Sequence, residues 1–402
     1  MKDQLVEQIV AYAIDEVSIQ NFYDFRVPPT SIVGDGISAK IGENITKLNC
    51  KNVFIVTDKQ IVKLGLMKPM LRSLNRNNIG YTIFDKVEPD PTSQIVENGI
   101  SQLKQCGCDG VITFGGGSSI DTGKAIAVFS TNPFNINQPL TNETIKNPRV
   151  PLIAVPTTAG TGSEVTDVIV ITNTQNHLKV PMQHASLIPD MAVIDPKLTL
   201  GIPPRITAAT GIDVLTHAIE AYMARGSCTL AQALSYSAMR SVGQYLRIAV
   251  GNGSNLDARH RMAVASYMAG MAFSNAGLGL CHAIAHQIGA KYKLPHGMST
   301  AVVLPEVMHF NMLVRTEHLC DIALALNQKT ENLDPKDAAY KGIEAVRELI
   351  EDIGLPTRLR DIGAQKEDFE EMAKRALKDP TITTNPRTVA LEDILQIFER
   401  AY

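Results

Sequence analysis

Gly110-Val111-Ile112-Thr113-Phe114-Gly115-Gly116-Gly117-Ser118-Ser119-Ile120-Asp121 reads as a β-branched strand, Val111–Phe114, that runs into a glycine turn and then opens a helix. The same alternation surrounds it. Val53–Thr57, Tyr81–Phe84 and Pro151–Val155 have the buried, β-branched character of strands. Lys59–Asn75, Ser93–Cys106 and Ser119–Phe129 carry helical periodicity. Strands alternating with helices imply parallel strands joined by crossovers, a doubly wound, Rossmann-like sheet.

The pattern changes at Gly201-Ile202-Pro203-Pro204. Helical periodicity dominates beyond it, over Ala208–Met223, Leu230–Val250, Leu256–Phe273 and Cys281–Ala290. A chain of 402 residues is also too long for one ordinary core. The expected organisation is an N-terminal extension (1–24), an α/β dinucleotide-binding domain (25–203) and an all-helical metal-binding domain (204–402).

A net charge of -3 removes the electrostatic reason to expect nucleic acid or an acidic membrane surface as partner. No signal pattern opens the chain, and the Ala- and Gly-rich stretch Ala263–Cys281, interrupted by Ser266, Ser274 and Asn275, suits an internal helix better than a membrane span. Cys50, Cys106, Cys108, Cys228, Cys281 and Cys320 form no CxxC pair and read as reduced, mostly structural thiols of a cytoplasmic protein.

Chemistry enters at the strand ends. A glycine turn lets a backbone approach a pyrophosphate closely, and the following helix N-terminus offers free N–H groups and a favourable dipole. The spacing is not GxGxxG, and a tight turn is the alternative. Asp58, ending the first strand, can accept hydrogen bonds from a ribose 2′-OH and repel a 2′-phosphate, or can simply cap the next helix. Pro156-Thr157-Thr158-Ala159-Gly160-Thr161-Gly162-Ser163-Glu164 puts hydroxyls and small residues after another strand, as a loop against a polar ligand or an ordinary turn.

In the helical half, Asp213 and His217 lie four apart and share one helix face. His282 and His286 repeat that spacing, and His296 follows. One Asp and three His make a set of donors for a divalent metal with room for a substrate oxygen, and burying so many polar rings without a ligand is costly. Spacing leaves open whether His282 or His286 is the ligand.

These residues carry a resemblance. GGGSSIDTGKAIA at Gly115–Ala127, PTTAGTGSEVT at Pro156–Thr166, TAATGIDVLTHAIEAY at Thr207–Tyr222 and CHAIAHQIGAKYKLPHGMSTAVVLP at Cys281–Pro305 resemble the iron-containing (group III) alcohol dehydrogenases, from about Phe25 onward. The resemblance implies a dehydroquinate synthase-like architecture and a homodimer or higher homo-oligomer. It matches Asp213, His217, His282 and His296 to the metal ligands and His286 to a non-ligating histidine near the substrate. It matches Asp58 to NAD preference, Gly116, Gly117 and Ser118 to the pyrophosphate loop, Thr157, Thr158 and Thr161 to a loop lining the cofactor, and Lys179 to a cofactor contact. The implied function is interconversion of a small primary alcohol or diol and its aldehyde with NAD(H). In such a reaction Fe2+ (or Zn2+) is expected to polarise the substrate oxygen, and His286, a side chain that titrates near neutral pH, is expected to relay the proton.

Related readings of the same architecture are a zinc-dependent glycerol dehydrogenase and a dehydroquinate synthase-like lyase. The lyase calls for a basic cluster around the metal, where only Lys291, Lys293 and Arg205 are on offer. A non-catalytic binding module would be expected to lack ligands, and none is missing. In the N-terminal extension Val6, Ile9, Val10, Tyr12, Ala13 and Ile14 fit one helical face, expected to pack on its own domain or fray, with docking to a microcompartment as the alternative.

Overall fold

The computed structural model describes residues 23–175 and 178–402. The apolar face expected in the N-terminal extension lies outside the described residues. The strands are β1 (Thr30–Val33), β2 (Asn52–Asp58), β3 (Gly80–Val87), β4 (Gly110–Gly115), β5 (Leu152–Pro156), β6 (Val168–Thr172), β7 (Lys179–Gln183) and β8 (Met191–Ile194). Six of them form one sheet in the order β1-β8-β5-β4-β2-β3, and every pairing in it is parallel. β6 and β7 form a separate antiparallel hairpin, and neither these two nor β1 and β8 were among the strands expected from sequence.

The sheet is covered on both faces, which is why its strands read as continuous apolar runs. Val53 and Ile55 of β2, with Ile112 and Phe114 of β4, pack against Met70 and Leu74. The alternating residues Phe54, Val56 and Val111 pack on the other face against Val96, Ala125 and Ile126. Burying each such side chain stabilises by about 1.5–3 kcal/mol.

The helical run expected over Lys59–Asn75 is two helices, Lys59–Leu64 and Lys68–Arg76. Gly65, at φ 67°, ends the first in the left-handed conformation, and Pro69 sits in the first turn of the second. Both punctuating residues outweigh the apolar periodicity that joins them.

Strand order reverses between β2 and β4, since the chain winds outward to β3 on one side and through β5 to β8 on the other. Loops leaving the carboxyl ends of strands at such a reversal diverge and open a crevice. Asp58 ends β2 and Gly115 ends β4, so the two flank it. The helix Gly117–Phe129 is pressed on the sheet: a Cβ at Gly123 would stand 2.1 Å from Thr113 Cγ2.

From Pro204 to Ala401 the described elements are all helical. Their core joins Ile212, Leu215 and Ile219 of helix Pro204–Met223 to Leu246, Met262, Ile284 and Val307 from other helices. No helix among the described residues is long and apolar enough to cross a membrane.

Candidate metal and dinucleotide site

Helix Pro204–Met223 turns Asp213, His217 and Glu220 inward at spacings of four and three, one buried face of one helix. Two further segments deliver the remaining imidazoles. Helix Leu280–Tyr292 carries His282 and His286, and helix His296–Ala301 begins on His296. Gly297 makes that last placement possible, because a Cβ there would fall 1.8 Å from Ala209 O, one turn before Asp213. One donor atom from each of Asp213, His217, His282 and His296 lies within 4.8 Å of the others.

Three of the donor atoms lack a hydrogen-bond partner, and His296 Nε2 stands 3.5 Å from Asp213 Oδ1. Asp213 Oδ1, His217 Nδ1 and His282 Nε2 are buried without a hydrogen-bond partner. Orphaned buried polar atoms each cost about 1–3 kcal/mol, so three pointing into one cluster call for a shared ligand. Burial, then the neighbouring imidazoles, holds His217 well below the usual histidine range and His282 at about 3, so both keep a free lone pair. Burial, reinforced by Glu220, pushes the Asp213 carboxyl up to about 8, the mark of a carboxylate that lacks a counter-charge. Phe273 and His282 sandwich the His217 ring at centroid distances of 4.4 and 4.7 Å and seal it from water. An oxygen and three imidazole nitrogens suit a borderline divalent cation such as iron or zinc.

The two rings, His282 and His286, are turned differently by their partners. His282 Nδ1 bonds Glu220 Oε2 at 2.5 Å, which turns Nε2 into the cluster. His286 Nδ1 bonds Asp379 Oδ2 at 2.8 Å, and its ring, about two-fifths exposed, stacks on His296 at 5.4 Å beside the cluster.

Glu220 escaped the sequence reading. Its carboxylate accepts from Gly279 N at 3.1 Å, Cys281 N at 2.7 Å and His282 Nδ1, so it caps helix Leu280–Tyr292 while orienting a histidine of the cluster. Its position, seven after Asp213 and three after His217, was the available signal. Asp379 had none, since it is remote in sequence from every histidine of the group.

Gly116 and Gly117 open their helix with no side-chain cap, which leaves the first N–H groups free. Both are pressed on the threonine-rich loop: added Cβ atoms would stand 3.5 Å from Thr158 Oγ1 and 2.9 Å from Thr161 Cγ2. Thr157 N donates to Gly115 O at 2.9 Å. The same loop reaches the metal-cluster helix, where Gly160 meets Thr210. Two residues of the glycine motif, buried Lys124 and part-buried Asp121, hold it in place. Lys124 Nζ donates to Thr166 O, Thr166 Oγ1 and Val168 O at 2.7–3.1 Å, and Asp121 accepts from Ser163 Oγ and Val170 N. Burial lowers Lys124 to about 8 against the pull of Asp121 and Glu164.

Asp58 does cap the next helix, accepting from Ile61 N at 2.9 Å through Oδ1. Its Oδ2 faces Gly115, 3.8 Å from where a Cβ would sit, so capping and facing the crevice coexist. Lys179 lies exposed on β7 with Nζ paired to Asp90 at 2.5 Å. Lys291 is neutralised by Asp368 at 2.8 Å, which weakens the basic cluster a lyase calls for.

Two domains meeting at a glycine turn on one side and a histidine–aspartate cluster on the other have the layout of a metal-dependent oxidoreductase. Comparison with known proteins agrees. Residues 28–196 match the family model for iron-containing alcohol dehydrogenase, and residues 207–402 match the C-terminal model of the Fe-containing alcohol dehydrogenase family. The chain is 42% identical over 389 residues to the probable alcohol dehydrogenase EutG of Escherichia coli, covering 97% of each. It is 38% identical to the NAD-dependent methanol dehydrogenase of Bacillus methanolicus, over 94% of this chain and 99% of that one. The crystal structure of a 1,3-propanediol oxidoreductase superposes with a TM-score of 0.93 at 41% identity, covering 95% of this chain and 100% of the other. The chain belongs to the iron-containing alcohol dehydrogenase family, and it is an oxidoreductase that interconverts an alcohol and an aldehyde.

Glu220→Ala is expected to strip acceptors from Gly279 N, Cys281 N and His282 Nδ1 and to destabilise by about 3 kcal/mol or more. The midpoint of urea unfolding reads this; a parent-like midpoint would show that water replaces the carboxylate.

Proposed function

We propose that Asp213, His217, His282 and His296 hold one ferrous ion, and that the chain uses NAD(H) to interconvert a small primary alcohol or diol and its aldehyde. The observation that carries this reading is the set of partnerless, buried donor atoms converging from three segments. The family's description as iron-containing supports the metal, and the relatives named as NAD-dependent methanol dehydrogenase and 1,3-propanediol oxidoreductase support the cofactor and substrate class.

When bound, the cation acts as a Lewis acid on the substrate oxygen, and the nicotinamide ring gives or takes the hydride. The chain's own residues do the rest. The free N–H groups at Gly117 and Ser118, with Gly116, receive the pyrophosphate. Asp58 Oδ2 accepts from the ribose and repels a 2′-phosphate. Thr157, Thr158 and Thr161 line the cofactor channel, and Lys179 closes on it. Glu220 keeps His282 in the tautomer that presents Nε2 to the cation. His286, exposed on one edge and held by Asp379, carries the proton between substrate and solvent.

Protein stripped of metal under anaerobic conditions and reloaded with ferrous iron is expected to reduce NAD with ethanol, 1-propanol, 1,2-propanediol or 1,3-propanediol. Zinc reloading and glycerol serve as the comparison. A fully loaded protein that turns over no alcohol or aldehyde would sink the reading. Asp58→Gly is expected to admit NADP with little loss of stability, since glycine replaces a capping side chain at a cost of a few tenths of a kcal/mol. Unchanged rejection of NADP by that variant would place the selectivity elsewhere. His286→Ala is expected to keep its metal and lose kcat by roughly 100-fold; full kcat in a metal-loaded variant would remove the relay.

A further inference from the structure

Two thiols lie far from this site, in the turn between helix Ser93–Cys106 and β4, and nothing in the alcohol dehydrogenase reading uses them. Cys106 Sγ and Cys108 Sγ are 2.7 Å apart, closer than two sulfurs sit in ordinary van der Waals contact. The turn that brings them together is held from several sides. Gly107, at φ 62°, ends the helix in the left-handed conformation and folds the chain back so that residues two apart face each other. Asn52 Nδ2 donates to Cys106 O at 3.3 Å, and Asp109 N donates to Asn52 O at 2.8 Å. The Asp109 carboxylate in turn accepts from Lys51 N and Asn52 N at 2.8–3.1 Å. The start of β2 thus clamps both ends of Cys106-Gly107-Cys108, and little backbone movement separates the dithiol from a bond.

We propose that Cys106 and Cys108 form a reversible disulfide, a redox-modification site at the foot of β4 whose oxidant is hydrogen peroxide. The half-exposed Cys106 meets the oxidant first, because Cys108 is buried and burial pushes its thiol up to about 12. The Cys106 thiolate attacks one peroxide oxygen and breaks the O–O bond, which leaves a sulfenic acid and a hydroxide that departs as water. The Cys108 sulfur then attacks the Cys106 sulfur and expels a second water. Two thiols lose two electrons, and the peroxide gains them. Held this close, the second step is intramolecular and outpaces further oxidation. A ring closed by a single intervening residue is strained, so the bond is readily reduced again.

Cleavage after Lys104 and Lys124 places both cysteines in one peptide, 105–124, whereas Cys50 falls in another, 48–51. The reduced full-length protein is treated with stoichiometric hydrogen peroxide, blocked with iodoacetamide and mapped by mass. Peptide 105–124 is expected to lie two hydrogens below its dithiol mass with no alkylation, and dithiothreitol is expected to restore both alkylation sites. Cys106→Ser is expected to leave Cys108 alkylatable after the same treatment. Three outcomes would overturn the proposal: both cysteines still alkylated, sulfinic or sulfonic acid on Cys106 without an internal bond, or a cross-link to the Cys50 peptide.

Discussion

The carboxylate of Glu220 holds together what the rest of the metal cluster depends on. It is buried, and it receives two backbone N–H groups at the start of helix Leu280–Tyr292 and the Nδ1 of His282. Burial pushes its pKa up to about 7 against the pull of the donors around it. Because Glu220 shares a helix face with Asp213 and His217, one carboxylate sets the distance between that helix and the next and also the direction in which His282 points. Asn385 finishes the junction by accepting from Leu280 N at 3.2 Å and exchanging bonds with Asn311. With Glu220 and Asn385 both hydrogen-bonded, the unpartnered donor atoms of Asp213, His217 and His282 are left facing the cluster.

The two halves of the molecule meet through small residues for the same reason that the cluster is tight. Gly162 lies against Gly270 of helix Leu256–Ala276, where a Cβ on either would fall under 3 Å from the other's backbone. Gly160 meets Thr210, and Gly117 meets Thr161. One loop therefore touches the glycine turn after β4 and the helix that carries Asp213. Lys124, buried beneath it, and Asp121 anchor this loop through hydrogen bonds. The crevice opened by strand reversal and the aspartate–histidine cluster of the helical half are thus joined through one loop whose glycines allow close approach to the helical half.

Much of this was legible in the sequence for local reasons. Strand–turn–helix at Val111–Asp121, helix Ser93–Cys106 and the helical half beyond Pro204 follow from periodicity and punctuation, which are properties of neighbours along the chain. So does the pairing of Asp213 with His217, because a spacing of four is one helical turn. Where the reading slipped, a local signal was outweighed or absent. Apolar periodicity carried the expected helix through Gly65, and β1, β6, β7 and β8 are short strands whose partners lie far off in sequence. Only the tertiary structure turned His282 into the cluster and left His286 beside it, through the carboxylates, Glu220 and Asp379, that hold their Nδ1 atoms. It alone showed that Asp58 can cap a helix and still face the crevice, having two oxygens aimed differently. Residue types and their helical spacing thus determined which groups could serve as ligands. Their orientation came from hydrogen bonds between segments that only folding brings into contact.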